Sequence, residues 1–261
     1  MRSIAKLMKD WQFTGPDGVT AAVALPHTWN AVDGQDGGND YWRGTCTYRT
    51  SFAAPAFDPA QQQVWLQFEG VNSSATVLLN GQQLCTHDGG YSTFRAEVTE
   101  LLQAENQLTV QVDNSVNDRV YPQKADFTFY GGIYRDVSLL VVNKNHIALG
   151  HFGDTGVKIT PALKEGSADI QVETLVEGEG TVVVELLDAE GNSVARSEGA
   201  KASLHLDAPH LWNGVKDPYL YTCVVRLMQD GKPVDEVTTK VGLRSFSVAV
   251  SYTHLTLPTN R

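Results

Sequence analysis

The chain has 261 residues, 42% of them hydrophobic, which is enough for one large or two medium cores. Its net charge is −10 and no basic run offsets it. That argues against a nucleic-acid or membrane-surface binder, because phosphate contacts need clustered Lys and Arg. The three cysteines, Cys46, Cys85 and Cys223, are widely spaced. They form neither a metal-binding spacing nor a disulfide framework, so no metal site is expected and a reducing cytoplasm is the expected compartment. Met1–Lys6 lacks the long apolar run of a signal peptide, and no run reaches membrane-spanning length.

Short strands follow one another from the start. Trp11 and Phe13 sit two apart, as on one face of a strand, and Val19–Leu25 is a second strand. The Gly- and Asp-rich stretch from Asp33 to Trp42 reads as a loop, and Tyr48–Phe52 resumes a strand. Val64, Leu66 and Phe68 alternate with polar or amphipathic neighbours, which is the pattern of a half-buried strand. Ala75–Leu79 is another strand. Asn80-Gly81 after it predicts a hairpin, since both residues tolerate the positive φ of a type I′ turn. A second loop covers His87–Ser92, and Val98–Leu102 reads as a brief helical turn. Leu108, Val110 and Val112 alternate, then Asp113–Lys124 forms a long polar connection.

The stretch Asp126–Val137 places Phe127, Phe129, Tyr130 and Tyr134 around Gly131-Gly132. The glycine pair suits a sharp turn with positive φ. The aromatics fit either core filling or a wall for sugar rings to lie against. A second set of strands starts near Gly156, with alternation at Ile170, Val172 and Thr174, at Val182, Val184 and Leu186, and over Val234–Val241. Leu220–Leu227 is a strongly apolar run, and Glu190-Gly191 and Asp230-Gly231 mark turns. No long amphipathic helix appears, which argues against an α/β enzyme domain. The fold class expected is all-β: an N-terminal jelly-roll β-sandwich over residues 1–145, then an immunoglobulin-like β-sandwich over 146–248.

Several segments, in one order, resemble glycoside hydrolase family 2. They are Leu25–Asn30, Asp36–Gly44, Glu69–Ala75, Asn80-Gly81, His87–Tyr91, Phe127–Val137, Leu211-Trp212 with Asp217–Tyr221, and Val241–Phe246. The resemblance covers about residues 8–248 and is nearest to β-galactosidases. It implies a chain that is the non-catalytic N-terminal part of an enzyme hydrolysing terminal β-galactosides. β-Glucuronidase or β-mannosidase specificity stays open, as does a free-standing carbohydrate-binding protein. In such enzymes a (β/α)8 barrel follows and holds an acid/base and a nucleophilic glutamate, which retaining hydrolysis requires. No glutamate here lies in a segment resembling either motif, so no catalytic residue is assigned and the isolated chain is expected to be inactive. The resemblance breaks at Ala249. Val250–Thr259 resembles a translated sequencing adapter, and residues 249–261 are expected to be a non-native tail.

Three residues are the candidates for substrate binding. Asp126 matches an acid that the resemblance places at the sugar pocket, where a carboxylate accepts hydrogen bonds from hydroxyls or helps hold a cation. Asn39 and Asp40 match another loop at the substrate edge, and the competing reading is turn chemistry. His27, Trp29, His87, Asp88 and Tyr91 read as structural, Trp212 and Pro218-Tyr219 as core or interdomain packing, and Arg135-Asp136 as an ion pair bracing the turn. The expected partners are a carbohydrate substrate and the C-terminal barrel, with no nucleic acid and no membrane. No cofactor is expected in this chain. A cation in the full-length enzyme and the parent's oligomeric state stay open.

Overall fold

The computed structural model describes residues 1–31, 42–121 and 128–246. The chain is all-β, with one three-residue 3-10 turn, Thr99–Leu101, among the described residues. It divides into two compact units. The first holds Met1–Gly156, Leu175–Gly180 and Leu227–Glu236; the second holds Val157–Thr174, Thr181–Arg226 and the chain from Val237 on.

The first unit is built on two antiparallel sheets. The larger runs in the order Thr20–Val23, Trp11–Thr14, Thr45–Ala53, Glu105–Asp113, Ser74–Leu79, Gln82–Asp88. The smaller runs Ser3–Lys6, Val137–Asn143, Gln62–Phe68, Phe94–Glu97. Period-two alternation decides which side chains go inside. Val64, Leu66 and Phe68 from the smaller sheet and Val77, Leu79, Leu108, Val110 and Val112 from the larger are fully buried in one core. Trp11 and Tyr48 meet edge-on in it, with ring centroids 6.4 Å apart. Fully burying such side chains stabilises by about 1.5–3 kcal/mol each. The Asn80-Gly81 hairpin forms as its sequence requires, with φ of 52° and 83°.

Several local expectations change. His87 and Asp88 end the strand Gln82–Asp88 rather than opening a loop. Ser3–Lys6, all exposed and without a hydrophobic pattern, is an edge strand paired with Val137–Asn143. Arg135 and Asp136 do not pair with each other. Asp136 binds Lys6 at 2.5 Å, while Arg135 donates to the Glu69 and Tyr91 carbonyls and lies over the Tyr134 ring. Each side chain therefore has a separate partner.

The first unit also recruits distant chain. Asp235 is fully buried and accepts both Arg2 guanidinium N–H bonds, at 2.7 and 2.5 Å, and the Ile147 N–H at 2.8 Å. This bidentate pair fixes the N-terminal strand to a segment 233 positions away.

The second unit has a sheet in the order Val157–Lys164, Ser167–Thr174, Lys201–Asp207. A second sheet runs Ser193–Glu198, Thr181–Leu187, Tyr221–Gln229, Lys232–Val241, the hairpin Leu227–Glu236 between its last two strands belonging to the first unit. Ile170, Val172, Leu204, Val184, Leu186, Cys223 and Val225 are buried in alternation. The apolar run reaches this core only from Tyr221, Leu220 being exposed. Trp212 is half-buried rather than core: it packs on Gly242 and carries the Arg244 guanidinium over its ring at 4.7 Å, and Pro218 is exposed.

Candidate functional site

Antiparallel pairing brings four strand ends to one end of the larger sheet. Thr45 pairs with Asp113, Asp113 with Ser74, and Ser74 with Asp88. The connections leaving those ends, together with His27–Ala31 and Thr128–Tyr134, gather over the sheet edge. Asn39, Asp40 and Asp126 lie outside the described residues, while the chain on either side of them is well defined by its partners.

Two buried asparagines hold these connections together. Asn30 and Asn114 are both fully buried. Asn30 donates from Nδ2 to the Trp42 carbonyl at 2.9 Å, and its Oδ1 accepts the Gly131 N–H at 2.8 Å. Asn114 Nδ2 donates to Asn30 Oδ1 and to the Phe129 carbonyl, each at 3.2 Å, and its Oδ1 accepts the Gly44 N–H at 2.9 Å. Arg43 Nε donates to the Asn114 carbonyl at 2.7 Å and its guanidinium lies over the Phe129 ring. Thr28 Oγ1 donates to the Gly131 carbonyl at 2.8 Å, and Asn72 Nδ2 to the Tyr130 carbonyl at 2.6 Å. Loop carbonyls and N–H groups that no strand can pair are thereby satisfied by side chains, as buried backbone requires. A small cavity of about 10 Å³ beside Arg43, Asn72, Asn114 and Phe129 has room for about one water.

The glycine pair is needed for two different reasons. Gly132 has φ of 142°, and a Cβ there would strike the His27 carbonyl. At Gly131 the obstacle is a side chain alone: a Cβ would run into the Trp29 indole. Of the aromatics around this turn, Phe129 is buried and fills space, while Tyr130 is partly exposed. Tyr134 donates its hydroxyl to the Gly90 carbonyl and meets Tyr91 edge-on. Trp42, Tyr91 and Tyr121 are exposed at the same end. Of these, sequence reasoning singles out only Tyr91. Trp42 stands at the end of a Gly- and Asp-rich connection and Tyr121 in a long polar one, and that is the only local mark they carry.

The residues read as structural are accounted for by their partners. His27 Nδ1 shares a hydrogen bond with the Tyr48 hydroxyl at 2.7 Å, and burial pushes the His27 pKa down and the Tyr48 pKa up. His87 stacks on Phe94 with centroids 4.3 Å apart, and its Nε2 lies 3.0 Å from Ser92 Oγ. Asp88 accepts from Ser74 Oγ at 2.6 Å and Arg119 Nε at 2.9 Å, and these bonds hold its carboxyl below the usual range. Among the described residues no three His, Cys, Asp or Glu side chains come together in a way that could hold a metal ion.

A jelly-roll unit, then a sandwich with a three- and a four-stranded sheet, matches two sequence families in the same order. The galactose-binding domain-like family of glycosyl hydrolase 2 covers residues 39–162, and the family described as glycosyl hydrolases family 2 covers 151–244. The chain belongs to glycoside hydrolase family 2. The β-glucuronidase of Bacteroides fragilis is 33% identical over 92% of this chain and 37% of its own length. Among solved structures, an FMN-binding β-glucuronidase from Facaelibacterium prausnitzii L2-6 superposes with TM-score 0.89 at 37% identity, over 95% of this chain and 40% of that one. A putative β-galactosidase from Bacteroides fragilis gives TM-score 0.86 at 35% identity, over 95% and 42%. This family 2 chain therefore spans about two fifths of the length of these three relatives.

Proposed function

We propose that this chain is the N-terminal, non-catalytic part of a family 2 hydrolase that cleaves terminal β-glycosides by the retaining route. In this reading a proton-donating and a nucleophilic glutamate come from a barrel encoded beyond it. The observation that carries the reading is the match over more than nine tenths of this chain to enzymes named for β-glycoside hydrolysis. A terminal β-glucuronide is the substrate we favour, because the β-glucuronidase matches reach 33% and 37% identity. The β-galactoside reading drawn from the sequence is retained as the second, supported by the 35% match to a putative β-galactosidase.

Asp126, Asn39 and Asp40 remain the proposed contacts to the sugar. They are supported by the flanking chain: the ends of both stretches, Asn30 and Trp42–Gly44 on one side and Phe129–Gly131 on the other, are tied to the Asn30–Asn114 pair. The test begins with genomic sequence past Val248, where a frame encoding a barrel is expected. The enzyme from that frame is then assayed on p-nitrophenyl β-D-glucuronide and β-D-galactoside. Preference for the glucuronide supports the first reading and preference for the galactoside the second. Failure to cleave either, by a well-folded enzyme, removes both.

A further inference from the structure

The second unit carries an open groove of about 500 Å³ with a chemistry that its fold does not require. Asp188, His205, Asp207, His210 and Tyr219 are among its lining residues. His210 and Tyr219 form a parallel stack, centroids 3.9 Å apart and planes 8° from parallel. Both rings are fixed from behind. The His210 ring is held through Nε2, 2.7 Å from Asp217 Oδ2, and its backbone N–H donates to the Tyr221 hydroxyl at 2.9 Å. The Ala189 N–H donates to the Tyr219 hydroxyl at 3.1 Å, and Tyr221 meets Tyr219 edge-on at 5.0 Å. The Asn213–Asp217 bridge closes the turn that sets His210 and Tyr219 against each other. Even so, the His210 side chain is 48% exposed and Asp207 is 95% exposed. A stack that served only to brace the turn would gain by burying both rings; this one is held rigid while lining open space.

We propose that this groove binds a neutral oligosaccharide. A pyranose ring has an apolar C–H face that lies flat on an aromatic ring and hydroxyls that donate to carboxylates. The fixed stack offers the first partner, and Asp207 and Asp188 offer the second. Because the rings are already immobilised by hydrogen bonds, little side-chain entropy is lost on binding. Among the described residues no Lys or Arg lines the groove, so a uronate or phosphate group would meet the Asp188 and Asp207 carboxylates with only His205, already hydrogen-bonded to Asp169 and Asp207, to offset them. A cationic ligand is disfavoured for a different reason. The lining carboxylates already have partners, Asp188 the Asn192 N–H and Nδ2 at 2.7 and 3.0 Å and Asp207 the His205 Nε2 at 3.4 Å, so part of their negative charge is engaged. A neutral, hydroxyl-rich ring is the class that uses what remains.

The test is calorimetric titration of the whole chain, followed by amide chemical-shift mapping. The probes are cellotetraose and β-1,4-galactotetraose, with tetragalacturonate and spermidine as the anionic and cationic comparisons. We expect saturable binding of at least one neutral tetrasaccharide, with shifts concentrated at residues 188–194, 205–210 and 217–221. Tyr219→Ala and Asp207→Ala should each weaken it by about tenfold or more, and Tyr219→Phe, which keeps the ring, should retain most of it. Asp207→Ala removes a 95% exposed side chain whose contact with His205 is long, 3.4 Å, and should move the melting temperature little, so it stays informative if Tyr219→Ala disturbs the fold. The proposal is overturned if neither neutral probe saturates, if Asp207→Ala leaves binding unmoved, or if spermidine binds more tightly than both neutral tetrasaccharides.

Discussion

Asn114→Ala is the perturbation that most directly probes how the candidate site is held. The substitution removes three hydrogen bonds: two donated by Nδ2, to Asn30 Oδ1 and the Phe129 carbonyl, and one accepted by Oδ1 from the Gly44 N–H. A typical net contribution is about 0.5–1.5 kcal/mol per bond, and a buried group left unpaired costs about 1–3 kcal/mol. Asn114 is fully buried, so water does not freely replace the lost partners. The expected loss is about 2–4 kcal/mol. In a domain of this size that lowers the melting temperature by roughly 5–15 °C. Scanning calorimetry on the whole chain is the assay, because two units can give two transitions, and only that of the first unit should move. Asn114→Asp keeps an acceptor for Gly44 but loses both donors and buries a charge, so it should be no better than alanine. Amide exchange at Gly44 should quicken in Asn114→Ala, which removes its acceptor. A shift of less than about 2 °C in Asn114→Ala, or a wild-type transition in Asn114→Asp, would refute the argument.

Four further outcomes are expected. Asp235→Ala strips the Arg2 guanidinium and the Ile147 N–H of their shared acceptor, and should destabilise the first unit by about 3–5 kcal/mol in denaturant titration. His205 is held above its ordinary pKa of 6.5 by its hydrogen bonds to Asp169 and then Asp207. Its contribution to stability is thus complete below pH 6.5 and fades as pH rises through the folded-state value, and its ring resonances should titrate above 6.5 and fall back toward it in Asp169→Asn. In the full-length enzyme, Asp126→Ala should lower kcat/KM by about tenfold to a hundredfold with the melting temperature unchanged, as expected for loss of a charge-assisted hydrogen bond to sugar; unchanged kinetics with a lowered melting temperature would assign it to structure. Gly131→Ala should destabilise the first unit by forcing a Cβ into the Trp29 indole, and Trp29→Ala in the same chain should relieve part of that loss in a double-mutant cycle.

The sequence by itself determined the all-β class, most of the strands and the family, because these are written in local patterns. Alternation at Val64, Leu66 and Phe68 and at Ile170, Val172 and Thr174 states which side of a strand is buried, whatever else the chain does. Asn80-Gly81 states a hairpin because those two residues reach positive φ cheaply. Ser3–Lys6 escaped this reading because an edge strand with no buried face has no alternation to show. The organisation of the candidate site also escaped it. Asn114 in a polar connection has the composition of any turn asparagine, and only packing reveals that it is buried and bridges Asn30, Gly44 and Phe129. The glycine pair was legible as a turn, but the need for Gly131 came from Trp29, about a hundred positions earlier. The Arg2–Asp235 pair and the stacked His210 and Tyr219 belong to the same class. Periodicity encodes neighbours two residues apart, whereas a buried polar partner is chosen by whichever distant group the packed sheets bring within hydrogen-bond reach, and only the tertiary structure decides which group that is.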